Sequence, residues 1–237
     1  MNRRGFLVVG MCGSGVALAA VQLDKILGKL NRGKQPGDDT LSKGLKEALN
    51  IGTENAVGIT GRLDGYFKNQ AIKILMPEKL RPMETGLRLV GLQPKLDEFV
   101  LSMNRAAERA APLAKPIFRD AVLRMTIGDA RRILTGGDTA ATDYFKAQTG
   151  EPLAAAFRPS VAQAMSETGV TSQYQQLLGR FQRVPFARTE AFDLENYVVR
   201  KALDGLFYVV GQEEKKIRTD PAARVTSLLK EVFGGLK

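Results

Sequence analysis

The chain has 237 residues, of which 44% are hydrophobic, and a formal net charge of +10 at pH 7. This composition is typical of a globular protein and excludes wholesale disorder. Because the sequence has no histidine and one cysteine, it excludes an intramolecular disulfide, a His-dependent catalytic triad and a His/Cys zinc site. Its lysines and arginines are interspersed with acidic residues, as on a solvated surface, so we expect no nucleic-acid partner.

The first twenty residues are arranged like an export signal. Arg3 and Arg4 precede an uncharged, mostly apolar run, and Ala17 and Ala19 have the small-x-small spacing of a signal-peptidase site. As a helix the run would be about 24 Å long, which is shorter than the ~30 Å hydrocarbon core of a bilayer. We therefore predict a cleavable signal peptide over residues 1–20 and no transmembrane span in the mature protein.

Two export routes fit this signal. The arginine pair stands shortly before Phe6 and Leu7, and glycines lower the hydrophobicity of the run, as in twin-arginine signals. Arginine pairs also occur in general secretory signals, so that route stays open. A lipoprotein signal is not favoured, because Met11 is not the small residue that a lipobox needs before Cys12. Either route predicts a periplasmic protein.

After the signal we predict a flexible tether over residues 21–40 and a single helical domain over residues 41–237. The tether is rich in Gly, Lys and Asp, whereas the domain shows apolar residues at helical spacing. The first predicted helix ends near Asn69. Residues 71–75 are partly β-branched and are stopped by Pro77, so they predict an extended connector or a small strand.

Prolines and capping residues divide the rest of the domain. Pro112 and Pro116 predict a break, Thr126 and Asp129 have capping-box spacing, and Asp193 is a predicted N-cap. The predicted helices cover about 78–90, 96–110, 117–125, 127–134, 139–148, a segment from 152, 172–181, 194–218 and 221–233.

These elements predict an all-α fold, a single-domain bundle of about eight to nine helices. Short connections favour antiparallel neighbours in such a bundle. Residues 203–210 are apolar nearly all round, which places the helix at 194–218 in the centre of the bundle.

One motif occurs twice: residues 63–67 (LDGYF) recur as residues 203–207 (LDGLF). Glycine inside a helix costs roughly 1 kcal/mol relative to alanine, so two such glycines predict a close crossing of two helices. That crossing would bring Asp64 and Asp204 together as an acid/base pair or a cation site. The simpler interpretation, which we favour, is chance similarity with packing glycines; we predict no metal site and no cofactor.

A second cluster lies at residues 103–112 (MNRAAERAAP). Asn104 and Glu108, like Arg105 and Arg109, are four residues apart and project from neighbouring faces of one helix. They predict either a clamp for an anionic or carboxylate ligand, or ordinary i, i+4 polar pairs, which are the simpler interpretation.

Several of these blocks together resemble a known family. The runs MNRAAERAAP, LDGYFKN with IKI and MP, AATDYF, KALDGLF, and EEKKIRTDPAAR with LLKEVFG look like domain-of-unknown-function family 4197. That is a family of exported proteins of Gram-negative bacteria. The resemblance covers about Leu41 to Gly234. It implies an envelope location and a single domain, and it implies no activity, substrate or catalytic residue.

We predict a non-enzymatic binding or scaffold domain for a protein or an amphiphilic small molecule of the envelope. The prediction depends on export, helical architecture and the lack of conventional catalytic side chains. An apolar ligand site would be lined by aromatic residues that otherwise form ordinary core: Phe99, Phe118, Phe145, Phe207 and Tyr208.

The alternative function is a carboxylate-dependent hydrolase or lyase. Asp64, Glu108 and Asp204 would then act as acid, base or metal ligands, because burial raises a carboxylate pKa. If the chain is a binding domain, its candidate binding residues are the polar ones in apolar surroundings: Asp64, Asn104, Arg105, Glu108 and Asp204.

Overall fold

The computed structural model describes residues 37–167, 169–182 and 192–224, together with Thr226 and Lys230. The predicted signal, including Arg3, Arg4, Ala17 and Ala19, lies outside the described residues. The α-helices are α1 (Asp38–Gly61), α2 (Arg81–Leu89), α3 (Gln93–Ala110), α4 (Ala114–Arg124), α5 (Ile127–Thr135), α6 (Ala140–Glu167), α7 (Val170–Phe181) and α8 (Leu194–Thr219).

The predicted all-α fold is confirmed, since the described residues contain no strand. Three single 3-10 turns, at Glu78–Leu80, Ala111–Leu113 and Pro221–Ala223, adjoin the α-helices. Within residues 71–75, where an extended connector or a small strand was expected, 71 and 72 form a turn and 73–75 have no regular secondary structure. None of the described helices is long and apolar enough to cross a bilayer.

Helix α8 is the centre of the packing, as its apolar sequence predicts. It packs most extensively against α6 and α1 and also contacts α3. In the core, the Phe118 ring makes edge-to-face contacts with Phe145 at 5.2 Å and Phe207 at 6.1 Å between centroids, which joins α4, α6 and α8. However, α8 is not buried all round, because Arg200 and Tyr208 are exposed on one stripe.

Local capping signals set several helix ends. Thr126 and Asp129 form the predicted capping box at the start of α5, and the Asp193 carboxylate accepts the N–H of Asn196 at the start of α8. The predicted break at Pro112 is present as the 3-10 turn between α3 and α4. Most of the predicted last helix, which runs to residue 233, lies outside the described residues.

The prediction that the first helix runs to Asn69 is wrong, because α1 ends at Gly61. Residues 62–68 form turns, and Asp64 has a left-handed φ of +65°. If the helix continued, the N–H groups of Tyr66 and Phe67 would donate to the carbonyls four residues earlier in the chain. Both N–H groups instead bind the Glu108 carboxylate of α3, at 3.1 Å each.

The predicted break before Pro152 is also wrong, since α6 runs unbroken from Ala140 to Glu167 with Pro152 and Pro159 inside it. Proline removes one hydrogen bond to the carbonyl four residues back. Both prolines lie on the exposed face of α6, as do the residues that carry the released carbonyls, Gln148 and Ala155. Water can therefore satisfy these carbonyls, and the helix continues.

The first turn of α6 has a distant cap. Glu214 of α8, which is 7% exposed, accepts the N–H groups of Ala141 and Thr142 at 2.9 Å each. Its carboxylate also binds Arg218, whose guanidinium donates to the Ile133 carbonyl near the end of α5. One buried carboxylate thus links α8 to the start of α6 and, through Arg218, to the end of α5.

Candidate functional site

Three of the residues predicted to form a binding site, Asp64, Arg105 and Glu108, belong to one ion-pair network. The Arg105 guanidinium binds Asp64 Oδ1 at 2.7 Å and Glu108 Oε2 at 2.6 Å. Lys68 Nζ binds the other oxygen of Asp64 at 2.8 Å. Glu108 is 4% exposed, and its second oxygen is the acceptor for two backbone N–H groups.

The hydrogen bonds of this network stabilise the ionised form of Asp64. The hydrogen bond from Lys68, and next to it that from Arg105, hold the pKa of the Asp64 carboxyl below its ordinary value. Asp64 therefore stays ionised at neutral pH. With the Glu108 oxygens also bound, the arrangement is an anchor between α3 and the turn at residues 62–68.

Asn104, which lies one turn before Glu108 on α3, binds the backbone of the chain that follows the turn at residues 62–68. Its Oδ1 accepts the N–H of Ile74 at 2.8 Å, and its Nδ2 donates to the carbonyls of Ile74 at 2.8 Å and Val100 at 2.7 Å. The amide is fully buried. We call residues 66–81 the wall segment; Asn104 and Glu108 attach it to the core from one face of α3.

The two LDG motifs do meet, but not through their aspartates. The buried Tyr66 ring lies against Gly205, where an added Cβ would come within 2.6 Å of Tyr66 Cε1. The Tyr66 hydroxyl donates to the Ala202 carbonyl at 2.6 Å. Burial raises the pKa of Tyr66, which keeps this donor protonated. Glycine is therefore required at position 205 by a close contact between the wall segment and α8.

The helix crossing that would have paired Asp64 with Asp204, which was not the favoured interpretation, does not occur. Asp64 lies in a turn and pairs with Arg105 and Lys68, whereas Asp204 lies on the outer face of α8 with a 73% exposed side chain. Asp204 Oδ2 is 3.9 Å from Lys201 Nζ. The two carboxylates thus belong to separate environments.

A groove of about 610 Å³ lies between the wall segment and α8. A smaller cavity of about 380 Å³ shares Tyr197, Arg200, Lys201 and Asp204 with it. The groove is lined by the cations Lys73, Lys79, Arg81, Arg200 and Lys201, the acids Glu78 and Asp204, the rings of Phe192, Tyr197 and Tyr208, and Ala71, Ile72, Leu75, Met76, Pro77 and Gly205.

Positive charge exceeds negative charge in this lining. Arg81 pairs with Glu78 at 3.2 Å, and Lys201 lies near Asp204. Among the residues that the structure describes, Lys73, Lys79 and Arg200 have no ion pair in this lining. Lys79 and Arg200 are exposed, whereas Lys73 is half-buried and lies over the Phe67 ring at 4.2 Å from its centroid. The excess of positive charge in this lining favours an anion over a cation as its ligand.

Apolar groups stand exposed in the same groove. Leu75 is 60% exposed and Tyr208 is 48% exposed. The Tyr197 hydroxyl donates to the Leu75 carbonyl at 2.9 Å, and its ring lies 5.7 Å from that of Phe192. Leu75 therefore projects from backbone that is fixed to α8, and the groove offers both apolar and cationic contacts.

Sequence reasoning identified only part of this surface. Asp204 and Tyr208 line the groove, whereas Asp64, Asn104, Arg105 and Glu108 do not line it. Phe99, Phe118, Phe145 and Phe207, which were candidates for the lining, are buried in the core. Sequence reasoning missed Lys79, Arg200, Leu75 and Tyr197; a polar stripe at positions 197, 200, 201, 204 and 208 of an otherwise apolar helix was the available signal.

No group of three or more His, Cys, Asp or Glu within the described part of the chain could hold a metal ion. The acidic residues discussed above instead contact cations or backbone N–H groups.

Comparison with known proteins identifies a family and no characterised relative. The family model described as "Protein of unknown function (DUF4197)" matches residues 35–234, which confirms the resemblance seen in the sequence blocks. No curated protein and no solved structure matches the chain.

Proposed function

The chain belongs to the DUF4197 family, and we propose that it is a non-enzymatic binding domain for an anionic amphiphile in the cell envelope. The observation that carries the proposal is the groove, in which three cations without ion pairs in the described part of the chain, Lys73, Lys79 and Arg200, share one concave surface with exposed apolar side chains. The envelope location is part of the proposal and depends on the export signal predicted at residues 1–20.

The groove has the size and chemistry of a small-molecule site. Its volume of about 610 Å³ falls within the roughly 300–1,000 Å³ of ligand pockets. Arg200 and Lys79 would bind a phosphate or carboxylate, because a guanidinium or ammonium forms charge-assisted hydrogen bonds to such oxygens. Leu75 and Tyr208 would contact the apolar part of the ligand.

The wall of the groove is held in place before any ligand binds. Asn104 and Glu108 bind backbone groups of the wall segment, and Tyr66 packs on Gly205. A preformed site loses less conformational freedom on binding than a flexible one, which favours affinity. These buried polar residues support binding by positioning the wall segment.

Tyrosine fluorescence provides the test, since the chain has five tyrosines and no tryptophan. Two of the tyrosines, Tyr197 and Tyr208, line the groove. We expect dodecyl phosphate, added as monomer below its micelle concentration, to change this emission with saturation, and a neutral alkyl glucoside to bind at least tenfold more weakly.

The matched variants are Arg200→Gln in the groove and Lys146→Gln on the exposed face of α6. Each removes one positive charge, but only Arg200→Gln should weaken dodecyl phosphate binding, by about tenfold if one charge-assisted contact is lost. Equal loss in both variants, or equal affinity for the anionic and neutral amphiphiles, would contradict the proposal. Native mass spectrometry of protein from its own envelope fraction would then give the mass of the natural ligand.

A further inference from the structure

We propose that the groove rim docks on an anionic membrane surface, so that the domain takes its amphiphile from a bilayer rather than from solution. This inference rests on the proposed function and names the source of the ligand. We use rim for the exposed and half-buried part of the groove lining that such docking would use: the apolar contacts Leu75 and Tyr208 and the cations Lys73, Lys79, Arg200 and Lys201.

Leu75 is presented to solvent by an anchored backbone. Its neighbours Ile74 and Met76 are buried, and Asn104 binds both backbone polar groups of Ile74. Tyr197 binds the Leu75 carbonyl itself. The exposure of this side chain is therefore a fixed property of the fold. Burial of an exposed leucine in an apolar phase is favourable, but one side chain alone is too little for docking.

The surrounding cations supply the rest of the attraction. A lysine or arginine near an anionic leaflet raises membrane partitioning about fivefold, and the groove contains five cations against two acids. Lysine and arginine can lay their methylene stems along apolar groups while the charge reaches lipid phosphates. Tyrosine, with an apolar ring and a polar hydroxyl, suits the same interfacial depth.

The composition of the rim favours a membrane over a protein partner. Lysine is depleted in the cores of protein–protein interfaces, yet three of the five groove cations are lysines. An exposed leucine that shares a groove with several cations matches the electrostatic mode of peripheral membrane binding. Docking would be peripheral, by the rim alone.

Vesicle cosedimentation tests the inference with the full mature chain. Sucrose-loaded vesicles of equimolar phosphatidylcholine and phosphatidylglycerol should bind the protein, whereas vesicles of phosphatidylcholine alone should not, and rising salt should weaken binding. Lys79→Gln and Arg200→Gln should each lower the partition coefficient about fivefold. Leu75→Ser should lower it by a similar factor or more, and Lys146→Gln should leave it within twofold of wild type.

The outcomes separate the two proposals. If the protein binds monomeric dodecyl phosphate but not anionic vesicles, docking is overturned and the proposed function stands; if it binds neither, both are overturned. Vesicle binding that none of the three rim variants weakens, with their circular dichroism unchanged, places docking elsewhere and overturns the inference. Retention by polyglutamate but not by anionic vesicles overturns it in favour of an acidic protein partner.

Discussion

Replacement of Glu108 by alanine should destabilise the domain strongly, because one carboxylate satisfies three donors. It accepts the N–H groups of Tyr66 and Phe67 at 3.1 Å each and the Arg105 guanidinium at 2.6 Å. Each buried donor left without a partner costs roughly 1–3 kcal/mol, and breaking a buried ion pair from one side costs about 3–5 kcal/mol. Arg105 keeps Asp64 as a partner, so we expect a total loss of about 3–5 kcal/mol.

Glu108→Gln is the matched variant that separates acceptor from charge. The amide oxygen can still accept both backbone N–H groups, but its NH₂ group would face Arg105, so the charge-assisted bond is lost. We expect a smaller loss in the free energy of unfolding, about 2 kcal/mol.

Urea unfolding followed by far-UV circular dichroism measures both losses. In a domain of this size 1 kcal/mol corresponds to roughly 2–4 °C, so the Tm of Glu108→Ala should fall by about 6–20 °C. Hydrogen exchange should accelerate at the Tyr66 and Phe67 amides in the alanine variant. The reasoning is refuted if the glutamine variant is as unstable as the alanine variant, or if Glu108→Ala stays within about 0.5 kcal/mol of wild type.

Two further predictions concern the same part of the molecule. Gly205→Ala places a methyl 2.6 Å from Tyr66 Cε1, and such overpacking should cost about 1–3 kcal/mol by urea unfolding. Gly179→Ala, at an exposed position of α7 where an added Cβ meets nothing within 4 Å, should be neutral or stabilising; equal effects in the two variants would exclude the contact as the cause. Hydrogen bonds, chiefly that from Lys68, hold the pKa of Asp64 below its ordinary 3.8, so the stability this ionised carboxylate contributes is present above that pH and lost as pH falls through the folded pKa. The Tm of Asp64→Asn should therefore fall less in acid than that of wild type, and parallel Tm curves below about pH 4 would contradict the assignment.

Features governed by neighbours in the chain could be predicted from the sequence. The capping box at Thr126 and Asp129, the N-cap at Asp193 and the break at Pro112 depend on residues within a turn of one another. Apolar periodicity gave the fold class and the central position of α8 for the same reason, because a helix must bury its apolar side.

Features governed by distant partners could not be predicted. The end of α1 depends on Glu108, which lies more than forty residues further along the chain and accepts the N–H groups that the helix would have used. The continuity of α6 depends on which side Pro152 and Pro159 face, and that side is known only when the packing is known.

The groove escaped prediction because its two sides come from distant parts of the sequence. Lys73 and Lys79 belong to the wall segment, whereas Arg200 and Lys201 lie on α8. Taken singly, each of these cations is typical of a solvated surface. The contacts that join the wall segment to α8, Tyr66 against Gly205 and the Tyr197 hydroxyl on the Leu75 carbonyl, bring the two sets together.

The distant cap supplied by Glu214 couples the stability of three helices, α5, α6 and α8. Fraying of the first turn of α6 would break the hydrogen bonds from the Ala141 and Thr142 N–H groups to Glu214. The buried carboxylate oxygens would then lose these partners, which is unfavourable. The same carboxylate binds Arg218, which donates to the Ile133 carbonyl, so that loss of α8 would release α5 and α6 together. We therefore expect α5 and α6 to open and close as one folding unit with α8, which lies far from them in the chain.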